Sequence, residues 1–364
     1  MKKILIKAYA QINLGDDLFI KMLCERYPDV DFYIFTTERY TKLDGLKLNN
    51  LYIKYNDNYY KKIIMKIGNY LNIPNLLEDN FSKNITGVVN IGGSIFIENN
   101  FSQEDYLIRS RNLKFGKNYF ILGSNFGPYK SEKFKKDYEK FFENCRDVCF
   151  RDSNSYEMFK SISTVRQGQD IVFSLDTDDI IENIENDYNL ISVILPSKRK
   201  ELKQMESEYF ATMKRFLIES AKNNEKTKLM SFCKDEGDEI AISKILSMIP
   251  NEYHKKISVY YYRGNLNEAL SIIKSAKTIV ATRFHAMILG FVFNKPVFPI
   301  CYSEKMINVL KDLEFKENFV SFNKIAKFSY EKLLENKPLD ESMLFKAKKG
   351  GEKHFDILDE FLNN

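Results

Sequence analysis

The stretch Ile279-Val-Ala-Thr-Arg-Phe-His-Ala-Met-Ile-Leu-Gly290 decides the fold. A short apolar run ends at Ala281, Arg283 and His285 follow at once, and Ala286 to Gly290 read as a buried helix. Strand, loop and helix in that order are the repeating unit of an α/β protein. In open α/β sheets ligands bind at the carboxyl ends of strands. A guanidinium and an imidazole two residues apart at such an end suit an anion held beside a proton donor. The bland alternatives are a structural ion pair for Arg283 and a core histidine bonded to backbone for His285. The other two of the three histidines sit in less telling surroundings. His254 lies in a polar run, and His354 in a charged C-terminal helix.

Outward from this segment, short apolar runs alternate with longer amphipathic ones, the pattern of parallel sheets flanked by helices. Strands are expected at Ile4–Ala8, Asp31–Thr36, Gly87–Ile91, Tyr119–Gly123 and Asp147–Phe150. Helices are expected at Asp16–Glu25, with Leu18, Met22 and Glu25 along one line, and at Phe134–Asn144, with Tyr138, Phe141 and Phe142 inward. A second series has strands at Leu190–Leu195, Thr227–Phe232, Ile257–Tyr261, Thr278–Ala281 and Pro296–Ile300. The acidic segment Asp176–Asp187 reads as a linker. This predicts an N-terminal domain over 1–180, a C-terminal domain over 188–340, and a terminal helix over 341–364 that packs through Phe345, Phe355, Leu358 and Leu362. Two α/β domains in tandem leave a central cleft between them, a usual place for a small ligand.

A chain of 364 residues suits two such domains. Apolar residues make up 44%, enough for two cores, and 29 Phe and 22 Tyr supply the aromatic volume in the absence of Trp. The net charge of +5 is spread along the chain. Nucleic acid usually needs a concentrated basic face, so it is not an expected partner. An anionic substrate, or attraction to an acidic membrane surface, fits better. The five cysteines are odd in number and scattered, with no metal-ligand spacing, and read as reduced thiols. The apolar run after Met1 is too short for a signal or membrane segment, so a cytoplasmic location is expected.

Each strand end in the first half carries glycine or polar residues. After strand one, Asn13-Leu-Gly-Asp-Asp17 offers Gly15 for a tight turn and Asp16 as a helix cap. Gly92-Gly93-Ser94 lets backbone approach a ligand and adds a hydroxyl, but has no phosphate-loop lysine and no nucleophile-elbow order. Gly123-Ser-Asn follows the next strand. Arg151 then follows another, where pairing with a neighbouring carboxylate is the structural alternative to anion binding. In the second half Tyr302 and Lys305 follow the last strand. Such ends lie along one edge of a parallel sheet.

Asn13-Leu-Gly-Asp-Asp17, Ile91-Gly-Gly-Ser-Ile-Phe96, Gly123-Ser-Asn-Phe-Gly127, Phe150-Arg-Asp-Ser-Asn-Ser155, Asp170-Ile-Val-Phe173, Thr282-Arg-Phe-His-Ala286 and Tyr302-Ser-Glu-Lys305 form an ordered set. In this set the chain resembles the polysaccharide pyruvyl transferase family over roughly residues 1–310. The resemblance implies a GT-B-like fold, two Rossmann-like domains facing a central cleft. It implies phosphoenolpyruvate as donor substrate, with no metal and no other cofactor. Arg283, Arg151 and Lys305 would bind the donor, and His285 would act as general acid. Asn13, Gly15, Asp17, Gly93, Ser94 and Ser124 would face a sugar or oligosaccharide acceptor. Two positions depart from the commoner pattern: Ile171 stands where Pro often follows the Asp, and Ile12-Asn13 stands where Gly-Asn is common.

In that reading His285 protonates the methylene carbon, a sugar hydroxyl adds to C2, and loss of phosphate with attack by a second hydroxyl closes a ketal. A lipid-linked acceptor would draw the protein to the inner membrane face as a peripheral protein. The alternatives are a GT-B glycosyltransferase using a nucleotide sugar and a non-catalytic glycan-binding or scaffold protein. The Arg-x-His pair favours an enzyme.

Overall fold

A computed structural model of the chain describes residues 2–37, 40, 46–55, 84–115, 118–183 and 185–363. The chain forms two compact units. One comprises Met1–Ala10, Asp16–Ser174 and Lys348–Asn364, and the other Gln11–Gly15 and Leu175–Ala347.

The first unit is built on the strands β1 (Lys3–Lys7), β2 (Asp31–Thr36), β3 (Leu51–Tyr55), β4 (Gly87–Ile91), β5 (Tyr119–Ser124), β6 (Asp147–Phe150) and β7 (Val165–Gln167). Their order is β3-β2-β1-β4-β5-β6-β7, and every pairing is parallel. The second unit carries β8 (Asn189–Ser192), β9 (Thr227–Ser231), β10 (Ile257–Tyr261), β11 (Thr278–Ala281), β12 (Val297–Cys301) and β13 (Val320–Ser321). Their order is β10-β9-β8-β11-β12-β13, again all parallel. Renumbered within its unit this is the order 3-2-1-4-5-6 of a dinucleotide-fold sheet, and the first sheet is the same with one strand added. Central strands such as β4 and β12 are buried along their whole length, as helices on both faces require.

Tyr138, Phe141 and Phe142 turn inward from the helix Glu132–Glu143 and join Phe96, Phe126 and Phe159 in an aromatic core. Leu18 and Met22 are buried on the helix Leu14–Arg26, while Glu25 is exposed. Three short strands, β3, β7 and β13, were not among the expected ones. Leu51 and Ile53 of β3 are only half-buried, and β7 and β13 bury one apolar residue each, Val165 and Val320, too few for a periodic signal. All five cysteines are buried and free, and burial pushes their thiols up, Cys301 to about 12 and Cys233 to about 11.

The C-terminal segment departs from expectation. It is a helix Glu341–Glu352, a 3-10 turn Lys353–Phe355 and a second helix Asp356–Asn363, not one continuous helix. Phe345 is exposed, whereas Phe355 and Leu358 are buried together with His354 and Phe361. From Lys348 onward the segment completes the first unit. Asp359 accepts from both Arg26 (Nε 3.2 Å, Nη2 2.8 Å) and from the Tyr27 hydroxyl (2.6 Å). His354 is fully buried. Its Nδ1 accepts the Gly123 N–H at 3.1 Å, which leaves Nε2–H to donate to the Gln169 carbonyl at 2.6 Å. Burial, with Arg166 and Arg151 nearby, holds this imidazole down at about 3, so it is neutral and structural.

Candidate functional site

In the second unit the strand order reverses between β8 and β11. The carboxyl ends of these strands and their neighbours gather the polar residues. β11 runs into Thr282 and Arg283, whose N–H groups both donate to Ser192 Oγ at 3.0 Å. Arg283 is 6% exposed and precedes the helix Phe284–Val292. Its guanidinium is engaged by two carboxylates. Nε donates to Asp238 Oδ2 at 3.0 Å, Nη2 donates to Asp238 Oδ1, and Nη1 donates to Glu236 Oε2. Asp238 in turn accepts the Phe232 and Cys233 N–H groups at 2.8 and 3.0 Å, which ties the loop after β9 to the cluster.

A second guanidinium shares Glu236: Arg199 Nη2 donates to Oε2 at 2.6 Å. Burial alone would raise the Glu236 carboxyl, but Arg283 and Arg199 outweigh it and hold it at about 2. For Asp238 burial wins and the carboxyl is raised despite Arg283. Burial would lower Arg283, yet Asp238 and Glu236 raise it well above its ordinary value, so it stays charged. The Arg199 guanidinium lies 5.0 Å from the Tyr302 ring centroid, and Lys305 Nζ lies 5.2 Å from that of Phe284. Burial opposes ionisation of the Tyr302 hydroxyl, but Lys305, Arg199 and Arg283 together lower its pKa, the mark of a positive local field.

His285 stands in the first turn of Phe284–Val292, its ring edge-on to Phe284 at 5.2 Å. Its Nδ1 edge faces Gly15, where a Cβ would fall 1.8 Å from Nδ1. Gly15 is therefore needed for the imidazole to sit where it does. The loop Gln11–Gly15 belongs to this unit through the Leu14 N–H to Phe232 carbonyl bond (3.1 Å) and the Asn13–Cys233 bridge. Asn13 Oδ1 accepts the Gly15 N–H at 3.2 Å, and Asn13 Nδ2 donates to Glu236 Oε1 at 3.3 Å. The helix begins at Leu14, so Asn13 makes the capping bond and Asp16 lies in the first turn; the expected cap at Asp16 is corrected to Asn13. Ile12 has φ 55°, a left-handed conformation that a β-branched residue adopts only under strain. Glycine, common at this place in the resembled family, would carry none.

The first unit assembles a different cluster. Arg151 is 1% exposed; Nη1 donates to Asp170 Oδ2 at 2.9 Å and Nη2 to Asn125 Oδ1 at 2.7 Å. Ser94 Oγ donates to the same Asn125 oxygen at 3.0 Å, and Ser124 Oγ to the Gly93 carbonyl at 3.0 Å. A Cβ on Gly93 would lie 2.7 Å from Arg151 Nη1, so this glycine admits the guanidinium. Asp17 is buried and accepts the Tyr40 hydroxyl at 2.7 Å.

The expected residues thus sort differently from their expected roles. His285, Arg283, Lys305, Asn13 and Gly15 belong to the second unit. Arg151, Gly93, Ser94, Ser124 and Asp17 belong to the first. Arg151 keeps company with the residues expected on the acceptor side, and its partner carboxylate is Asp170. Asn13 and Gly15, expected to face an acceptor, instead support Glu236 and His285. Sequence reading missed Glu236, Asp238 and Arg199. The signal was present in Phe232-Cys-Lys-Asp-Glu-Gly-Asp238 and Pro196-Ser-Lys-Arg-Lys200, loops that follow β9 and β8 and so share an edge with Arg283. Among the described residues no group of His, Cys, Asp and Glu is placed to hold a metal ion, and no helix is long and apolar enough to cross a membrane.

The two all-parallel sheets define a GT-B-like α/β protein. Solved structures share that fold. S. aureus MnaA, in a co-structure with UDP, is 12% identical with a TM-score of 0.62, covering 100% of this chain and 97% of that one. The UDP-GlcNAc 2-epimerase of Methanocaldococcus jannaschii is 14% identical with a TM-score of 0.58 over 99% and 100%. Anabaena Alr3699/HepE, in complex with UDP and glucose, is 10% identical with a TM-score of 0.56 over 100% and 99%. No curated protein matches the sequence. The sequence profile of the polysaccharide pyruvyl transferase family matches residues 13–304, and the chain belongs to that family.

Proposed function

We propose that the protein is a pyruvyl transferase that moves pyruvate from phosphoenolpyruvate onto a sugar of a cell-surface polysaccharide or its precursor, as a ketal. The observation that carries this is His285 two residues from Arg283 at the carboxyl edge of the second sheet, where Lys305, Arg199 and Arg283 lower the pKa of the Tyr302 hydroxyl, within a chain of this family. The donor is a carboxylate and a phosphate on a three-carbon enol, so it needs concentrated positive charge and one proton delivered to carbon. His285 supplies the proton to the methylene carbon. The electron pair of the enol forms the new C–H bond and C2 becomes electrophilic. A sugar hydroxyl adds to C2 and loses its proton. Expulsion of phosphate and addition of a neighbouring hydroxyl then close the ring. Gly15 holds the imidazole edge, and the buried Asp238–Arg283–Glu236 group keeps the loops after β9 and β11 in register with it. No step calls for a metal.

The test is phosphate release from phosphoenolpyruvate with the polysaccharide fraction of the source cells as acceptor. Wild type should turn over, and His285→Ala should bind phosphoenolpyruvate but lose activity by roughly 10²–10⁴, the usual worth of a positioned general acid. An active His285→Ala protein would overturn the acid role. Tight binding of UDP or UDP-glucose with none of phosphoenolpyruvate would move the protein to the nucleotide-sugar enzymes whose fold it shares.

A further inference from the structure

We propose that Arg199 is the side chain that hydrogen-bonds the donor's phosphoryl group, with Ser303 Oγ as a second donor, and that Arg283 supplies charge and position without making that contact. The proposal rests on the reading that the donor binds at the carboxyl edge of the second sheet, and assigns a residue within it.

The two guanidiniums that share Glu236 are used differently. Arg283 spends Nε, Nη1 and Nη2 on Asp238 and Glu236. Arg199 commits Nη2 to Glu236, while its Nη1 is buried with no hydrogen-bonding partner among the described residues. A buried donor on a charged group left without a partner is costly, and native proteins keep few without a use. Ser303 Oγ is also buried without a partner among the described residues. It occupies the N-cap position of the nine-residue helix Glu304–Asp312, yet its side chain takes no capping bond. Serine at that position ordinarily makes one.

Arg199 is also held rigidly enough to serve as a receptor. Its N–H donates to the Pro196 carbonyl at 2.9 Å, and its own carbonyl accepts from Leu202 and Lys203 at 3.0 and 3.1 Å. Its guanidinium rests against the ring of Tyr302, the residue before Ser303. Lys305 adds to the positive field of Arg199 and Arg283 at Tyr302. A phosphoryl group fits these donors because its oxygens accept N–H and O–H bonds and its negative charge suits a positive field. Phosphoenolpyruvate, a nucleoside diphosphate and inorganic phosphate all present that chemistry.

Calorimetric titration of phosphoenolpyruvate, UDP and inorganic phosphate into wild type, Arg199→Lys, Arg199→Gln and Ser303→Ala tests the assignment, with thermal unfolding as the check on folding. Arg199→Lys keeps the charge beside Glu236 and removes Nη1. Both Arg199 variants should weaken whichever phosphoryl ligand wild type binds by tenfold or more. Ser303→Ala should weaken it several-fold, with melting unchanged. Folded Arg199→Lys that binds phosphoenolpyruvate like wild type overturns the assignment and leaves the pyruvyl reading standing. Wild type that binds UDP but not phosphoenolpyruvate, with UDP lost in the Arg199 variants, upholds Arg199 and overturns the pyruvyl reading. Wild type that binds none of the three overturns the assignment.

Discussion

Replacing Gly15 by Ala sets two effects of opposite sign against each other. The added Cβ would lie 1.8 Å from His285 Nδ1 and 2.4 Å from Cε1 and Cγ. Ordinary contact begins at 3.4 Å, so ring or turn must move by about 1.6 Å. The turn is held by the Asn13 cap and by the Leu14 bond to Phe232, so the ring is the part that yields. Overpacking of this kind costs about 1–3 kcal/mol. Against it, Ala is favoured over Gly inside a helix by up to about 1 kcal/mol, and Gly15 sits in the helix Leu14–Arg26 with no positive φ to protect. In wild type the clash should win and the variant be destabilised. In a His285→Ala background the clash is gone, and the same change should stabilise. Urea unfolding of the four proteins at pH 7.5 reads this as a double-mutant cycle, with an expected coupling of roughly 1–3 kcal/mol. Equal effects of Gly15→Ala in both backgrounds would refute the contact. A ring displaced by more than an ångström should also lower turnover by about 10² in Gly15→Ala.

Three further outcomes follow from buried contacts. Asp170→Asn removes the charge partner of the 1%-exposed Arg151 and should cost about 3–5 kcal/mol in urea unfolding. His354 is held at about 3 when folded against 6.5 when free, so the unfolded chain binds the extra proton in between. Stability from this group is complete above about pH 6.5 and falls toward pH 3 by about 1.4 kcal/mol per unit. His354→Gln, which can still accept from Gly123 and donate to Gln169, should flatten that slope between pH 5 and 7. Phe345→Ser should change stability by less than about 0.5 kcal/mol because Phe345 is exposed, while Leu358→Ala should cost about 2–5 kcal/mol.

The alternation of apolar runs and amphipathic segments determined the α/β class and placed ten of the strands, because a buried parallel strand must be apolar on both faces. The Arg283-x-His285 pair was legible for the same reason: it ends such a strand. What the sequence could not supply was the partners. Arg283 meets Asp238 and Glu236, forty-five and forty-seven residues away, only because β9, β8 and β11 lie side by side. Gly15 meets His285 only because the loop Gln11–Gly15 packs in the second unit, although its chain position lies in the first. His354, unremarkable in a charged helix, becomes a buried strut once the terminal segment lies against Gly123 and Gln169. Residue types and local periodicity are written in the chain. Which charges neutralise one another depends on strand order, and strand order is set by how the whole sheet closes its core.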